Sequence, residues 1–85
     1  MPRPVLTQED QRRGRRLGAS LQRRRGTTSG AQVANQAGIS IDALRKLEEG
    51  KTPTPGFFQI ARIAAVLHVS LDDLLGDATD GNSKQ

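Results

Sequence analysis

Hydrophobic residues recur along the chain at intervals of three and four positions, which is the spacing of the buried face of an α-helix. The clearest run is formed by Phe57, Ile60, Ile63, Ala64 and Leu67. Turn-forming residues separate such runs, and no stretch alternates in the manner of a β-strand. The pattern predicts an all-α protein of five helices, over 8–25, 30–37, 41–49, 55–67 and from residue 71.

Capping residues define the ends of these helices. Each of the five predicted helices is preceded by a residue whose hydroxyl can accept a hydrogen bond from a first-turn N–H: Thr7, Ser29, Ser40, Thr54 and Ser70. Thr54 and Pro55 predict the start of the fourth helix, since proline suits the first helical position. His68 stands at the expected end of that helix, where positive φ is favoured and histidine tolerates it better than most residues.

The length and composition limit the protein to one small domain. The chain has 85 residues and no cysteine, so no disulfide or thiolate metal site supports the core. We expect a flexible N-terminal arm over 1–7, a domain over 8–76 and a disordered tail over 77–85. No long apolar run or secretory signal is present, so no membrane segment is expected and a cytoplasmic location fits.

The charge distribution favours a polyanionic partner. Lysine and arginine outnumber aspartate and glutamate by 13 to 9, and eight arginines lie within the first 25 residues. A basic front and an acidic end suggest an oriented electrostatic surface, although a solvated arginine-rich helix face is an equally simple reading. With a single histidine and no cysteine, neither a metal site nor a histidine-based triad is expected. We therefore expect no enzyme activity, no cofactor and no small-molecule ligand.

The second and third predicted helices have the residue spacing of a helix-turn-helix. Ala34 is small where the two helices must cross, and Gly38 allows the sharp turn between them. Ile39 fills the space beneath the turn, while Leu44 and Leu47 attach the third helix to the core. An ordinary helical corner with a solvated face is the weaker alternative.

The outer face of the third predicted helix carries charged side chains. With Leu44 and Leu47 facing inward, a helical wheel places Asp42, Arg45 and Lys46 outward. Such a polar face is explained if this helix enters the major groove of DNA. Asp42 has two readings of equal weight, as an acceptor for a cytosine amino group or as a first-turn acid that complements the helix dipole.

Residues 17–75 resemble the phage-repressor and Cro-type helix-turn-helix family, also called the xenobiotic-response-element (XRE) family. Three stretches carry the resemblance: "LGASLQRRR", "SGAQVANQAGISIDALRKLEEGK" and "IARIAAVLHVSLDDLL". The resemblance implies a compact, five-helix, lambda-repressor-like DNA-binding domain, with the helix-turn-helix at about 30–49, which usually works as a dimer. The implied function is a sequence-specific transcriptional regulator of bacterial or phage origin that acts as a repressor.

The resemblance also implies roles for individual residues. The family's base-reading positions fall on Ile41, Asp42 and Lys46, and Arg45 can reach either base or phosphate. Lys51 and Thr52, in the loop after the third helix, match positions that contact the DNA backbone. Glu48 matches an acid that pairs with an arginine at the end of the first helix, which is either Arg23 or Arg25 here.

Further phosphate contacts are expected at the starts of the two motif helices and on the first helix: Ser29, Gly30, Ser40, Arg12 and Arg16. Gly30 departs from the family, whose members often carry a glutamine there that holds a phosphate. The glycine offers only its backbone N–H, which weakens the case for tight DNA binding.

The partner predicted from this resemblance is double-stranded DNA, read as an inverted repeat by a weak homodimer that is completed on the DNA. Phe57 belongs to the predicted core stripe, whereas Phe58 is either core or part of a partner surface. Two other functions stay open at this stage. One is an antitoxin that represses its own operon, and the other is a protein-interaction module of the same fold that has lost DNA binding.

Overall fold

The computed structural model describes residues 7–79. It contains five α-helices, namely α1 (Gln8–Arg25), α2 (Gly30–Ala37), α3 (Ile41–Glu48), α4 (Phe57–Leu67) and α5 (Leu71–Ala78). Residues 7–79 contain no β-strand, and the all-α, five-helix fold is confirmed. The predicted arm lies outside the described residues except for Thr7, as does the predicted tail from residue 80 onwards.

Four helices begin where capping residues place them. The Thr7 hydroxyl accepts from the Asp10 N–H at 3.0 Å, and the Asp10 carboxylate accepts from the Thr7 N–H at 3.2 Å, which closes a capping box. Three serine hydroxyls accept in the same way, each at 3.0 Å from the N–H three residues on, and they cap α2, α3 and α5: Ser29, Ser40 and Ser70. His68 ends α4 with φ of 58°, in the left-handed region.

The fourth helix begins two residues later than the sequence predicted. Its first residue is Phe57 and its N-cap is Gly56, which makes no side-chain capping bond, so the prediction of Thr54 as cap and Pro55 as first residue was wrong. The preceding loop packs on α1, because a Cβ built on Gly14 would lie only 2.7 Å from the Cα of Pro53. This contact accounts for the later start, because it holds Pro53 against α1 and so keeps the residues that follow it in the loop.

The hydrophobic core joins all five helices. Its most deeply buried apolar side chains come one from each helix in turn: Leu21, Val33, Leu44, Ile63 and Leu74. Phe57 was predicted to belong to this core, and that prediction was wrong because its side chain is 64% exposed in the first turn of α4. Phe58 is 73% exposed, and its ring meets that of Phe57 edge to face at 5.2 Å.

Two glycines bring α1 onto the end of α3. A Cβ built on Gly18 would lie 2.8 Å from the carbonyl oxygen of Glu48 and closer still to that of Leu47. Gly14 makes the similar approach to Pro53. From the sequence these glycines were expected only to weaken α1, whereas both are buried and permit its backbone to touch the segment that follows the motif.

The fifth helix extends two residues past the predicted domain end at residue 76 and buries Ala78. Its carboxylate at Asp77 accepts from the buried Ser20 hydroxyl at 2.6 Å and from the Arg24 guanidinium at 2.9 and 3.1 Å. Arg23 adds a longer contact at 3.4 Å. These bonds attach the end of α5 to α1, so a segment that reads as a polar tail is part of the domain.

The Asp77 contacts predict an acid-dependent loss of stability. The hydrogen bond from Ser20, followed by that from Arg24, lowers the pKa of Asp77 below its ordinary value of 3.8. A depressed folded-state pKa contributes stability above the unfolded pKa, and this contribution disappears as pH falls through the folded value. Asp77→Asn should therefore cost about 1–2 kcal/mol at neutral pH. In urea melts taken as a function of pH, the difference in free energy of unfolding between the parent and Asp77→Asn should shrink below about pH 4.

Asp72→Asn is the control, because Asp72 is an exposed acid of the same helix. It should change stability by about 0.5 kcal/mol or less, through its interaction with the helix dipole. A deficit for Asp77→Asn that stayed constant down to pH 2 would show that the charge of Asp77 is irrelevant to the α1–α5 contact.

Candidate nucleic-acid interface

The turn between α2 and α3 is built from a left-handed glycine. Gly38 has φ of 73°, and the N–H of Ile39 donates to the carbonyl oxygen of Ala34 at 3.0 Å across the turn. Ala34 is a buried residue of α2, and Leu44 and Leu47 are both buried on the inner side of α3. The two helices are therefore held in one arrangement by backbone hydrogen bonds and by packing.

The opposite side of α3 is exposed to solvent. Asp42, Arg45 and Lys46 are exposed there, and Ile41 at the start of the helix is 38% exposed. The Lys46 ammonium lies 3.6 Å from the Asp42 carboxylate, and both side chains are mostly accessible. An exposed pair of this kind is worth only about 0–1 kcal/mol, so a ligand can separate it at little cost.

The first turns of α2 and α3 carry hydroxyls that already serve as caps. Ser29 and Ser40 each use an oxygen lone pair to accept a backbone N–H, which leaves the hydroxyl proton to be donated. Gly30 is the first residue of α2, and a Cβ there would meet Leu44 and Arg25 atoms at 3.7 and 3.9 Å, which is ordinary van der Waals contact. Packing therefore does not require glycine at this position.

The loop after α3 is a second exposed, basic segment. Gly50 has φ of 75°, and the Lys51 N–H donates to the Lys46 carbonyl oxygen at 2.9 Å, which fixes the path of the chain. The exposed Lys51 ammonium lies 3.2 Å from the Glu49 carboxylate, and Thr52 is half-buried beside it.

Both arginines of α1 that were predicted to contact phosphate have partners within residues 7–79. Arg12 is exposed and donates to the Glu9 carboxylate at 3.1 Å. Arg16 donates to the carbonyl oxygen of Thr79 at 3.0 Å, so it lies beside the end of α5. The α3 residues thus lie between Ser40 and the following loop in the chain, Ser29 caps the neighbouring α2, and Arg16 lies beside the end of α5 instead.

An ion pair connects α1 to the end of α3 and resolves the choice left open by the sequence. Glu48 pairs with Arg25, whose Nε and Nη2 donate to the two carboxylate oxygens at 2.8 and 2.9 Å. The third nitrogen of Arg25 donates to the Thr28 carbonyl oxygen at 2.8 Å, so the loop that leads into α2 is held as well. The hydrogen bond with Glu48 raises the pKa of Arg25 above its ordinary value, and the guanidinium stays charged.

Two other kinds of site are absent from the described part of the chain. Among residues 7–79, no three histidine, cysteine or carboxylate side chains converge on a possible metal position. None of the helices in that range is long and apolar enough to cross a membrane. The expectation of no cofactor stays a prediction.

Five helices with a buried helix crossing, a left-handed glycine turn and an exposed third helix define a helix-turn-helix protein. Residues 16–75 match the family model described as a helix-turn-helix domain, and the chain belongs to that family. No curated protein matches the chain. Membership supports DNA binding as the general function of the domain.

Proposed function

We propose that the protein is a sequence-specific DNA-binding transcriptional regulator of the phage-repressor and Cro type, and that it acts as a repressor. The observation that carries this proposal is the exposed face of α3, where Asp42, Arg45 and Lys46 project from a helix held by two buried leucines. A rigid helix with a polar outer face fits the major groove, whose width admits one α-helix.

Each side chain on this face has a matching chemistry on the base edges. Arg45 and Lys46 are donors for the O6 and N7 acceptors of guanine, while a carboxylate such as Asp42 accepts from the amino group of cytosine. Ile41 offers an apolar contact for the methyl group of thymine. The exposed Asp42–Lys46 pair opens when the two side chains bind bases.

Phosphate contacts orient the helix in the groove. The hydroxyls of Ser29 and Ser40 and the first-turn N–H of Gly30 are donors at helix N-termini, where the dipole favours an anion. On the other side of α3, Lys51 and Thr52 supply a cation and a hydroxyl. These contacts add affinity that does not depend on sequence and that decreases with salt.

A homodimer on an inverted repeat completes the proposal. One α3 spans only a few base pairs, which is too little to select a site within a genome. Two copies place two recognition helices about 34 Å apart, one turn of DNA. Phe58 and Leu75 are 73% and 63% exposed, and we propose that they contribute to the self-association of this weak dimer.

The same exposed side chains favour an alternative in which the regulator is the antitoxin of a toxin–antitoxin pair and covers them with the toxin. An interaction module that has lost DNA binding would also leave them exposed. Gly30 favours this last alternative, because members of the family often carry a glutamine at this position.

Selection of bound sequences from a random duplex pool tests the function. We expect one enriched site, arranged as an inverted repeat with half-sites one helical turn apart. Enrichment of a single half-site would remove the dimer from the proposal, and no enrichment over input at low salt would favour the interaction module.

Alanine substitution of Arg45 or Lys46 should remove specificity without unfolding the protein. Both side chains are exposed and face away from the core, so the melting temperature should change little. Loss of a base contact should cost about 1–3 kcal/mol of discrimination against random DNA, measured by competition at fixed salt. Arg13→Ala is the control, because Arg13 pairs with acids near the start of α1 and should keep its discrimination. If all three variants discriminate as the parent does, α3 is not the reading helix.

A further inference from the structure

Arg15 on α1 lies against the loop that follows α3. A Cβ built on Gly50 would lie 2.7 Å from the Cγ and 2.9 Å from the Cα of Arg15, so the stem of this arginine packs directly on the Gly50 backbone. Gly50 itself has φ of 75°, which favours glycine and fixes the loop at this contact. A contact of this kind cannot be read from the sequence, because 35 positions separate the two residues.

The other arginines of α1 have partners within residues 7–79. Arg12 and Arg13 pair with acids of the first turn, and Arg16 donates to the end of α5. Arg23 and Arg24 pair with Asp77, and Arg25 pairs with Glu48. Arg15 is exposed, and within the described chain it has no carboxylate within ion-pair distance.

The neighbouring cation of the loop is partly neutralised. Lys51 follows Gly50 directly, and its ammonium lies 3.2 Å from the Glu49 carboxylate. Arg15 therefore brings a second cation to this loop, and no carboxylate of residues 7–79 pairs with it. Because its stem is already packed on Gly50, holding the guanidinium there costs less side-chain entropy than for a free surface arginine.

We infer that Arg15 is a phosphate-binding residue that acts together with Lys51 on the DNA strand flanking α3. This role rests on the DNA binding proposed above and adds α1 to the surface that contacts DNA. Arg15 then contributes affinity for any duplex sequence, whereas the exposed face of α3 contributes selectivity.

The test uses the full chain and compares Arg15→Met with Arg13→Met. Methionine keeps methylenes for the contact with Gly50 and removes the charge. Affinity is measured for the selected site and for a random duplex between 50 and 200 mM salt. Loss of one phosphate contact lowers the magnitude of the negative slope of log K against log salt by about 0.9. The ratio of parent to Arg15→Met affinity should therefore fall about 3.5-fold over this range, equally for both duplexes. Arg13→Met should keep the parental slope.

Three outcomes overturn the inference, and they are distinguishable. A parental slope in a folded Arg15→Met variant removes Arg15 alone and leaves the proposed function intact. An equal change of slope in Arg13→Met shows an effect of net charge without a defined contact. If the parent binds neither duplex at 50 mM salt, the proposed function fails together with the inference. Where the methionine variant does not fold, Arg15→Gln replaces it, because glutamine also removes the charge, and a parental slope in that variant contradicts the role in the same way.

Discussion

Replacing Gly18 by alanine is expected to lower the free energy of unfolding by about 3 kcal/mol, at the upper end of the usual cost of overpacking. The new methyl group would lie 2.8 Å from the carbonyl oxygen of Glu48 and closer still to that of Leu47. These obstructing atoms belong to the backbone and cannot rotate away, so α1 must move off the end of α3. Alanine's gain of about 1 kcal/mol over glycine within a helix does not compensate.

Thermal and urea unfolding measure the effect, and the melting temperature should fall by at least about 12 °C for a domain of this size. Gly76→Ala is the matched control. Gly76 lies within α5, and no atom outside its own helix turn lies within 4 Å of the place that a methyl group would take. The same change there should therefore raise stability by up to about 1 kcal/mol. Equal stabilisation by both substitutions would mean that α1 does not touch α3 at Gly18.

The sequence was sufficient for the order and type of the helices because the signals are local. Hydroxyl caps and a helix-period apolar pattern act within a few residues, and four of the five helices begin at the predicted position. The fourth did not, since a tertiary contact between Pro53 and Gly14 acts on the chain just before it. Phe57 was misplaced because helical spacing alone does not show that the first residue of α4 extends past the core, where its side chain is 64% exposed.

The sequence could not predict contacts between residues that are distant from each other along the chain. Asp77 reads as part of a polar tail until Ser20 and Arg24 are seen beside it. Arg15 is one of seven arginines in α1, and its packing on Gly50 together with its lack of a carboxylate partner within residues 7–79 distinguishes it from the others. The exposed residues of α3 were within reach of sequence reasoning, because two buried leucines fix the orientation of a short helix.

Removing Glu48 is expected to destabilise the protein by about 2–3 kcal/mol, at or below the lower end of the range for a buried ion pair, because this pair is partly buried. The side chains of Glu48 and Arg25 are only 10% and 19% exposed, and two hydrogen bonds of 2.8 and 2.9 Å join them. Glu48→Ala leaves the guanidinium poorly solvated and without its carboxylate partner, with only the Thr28 carbonyl oxygen as acceptor. Glu9→Ala instead breaks two exposed contacts on α1, with Arg12 and Arg13, and should cost no more than about 1 kcal/mol.

A double-mutant cycle with Arg25→Ala separates the interaction from the loss of either side chain. If the pair acts as a unit, the double variant should be more stable than the sum of the two single losses predicts, because neither charge is then left alone. A coupling energy near zero would mean that each residue stabilises the fold independently.

The pair should also affect DNA recognition, because Arg25 holds the loop before α2 through Thr28 while Glu48 lies at the end of α3. In Glu48→Ala, the serine caps and the α3 side chains keep their identity but lose their fixed relative position. We therefore expect a larger loss of discrimination between the selected site and random DNA than of affinity for random DNA, measured under conditions where the variant is folded. Equal losses on both duplexes would show that the ion pair supports stability alone and that α3 keeps its orientation without it.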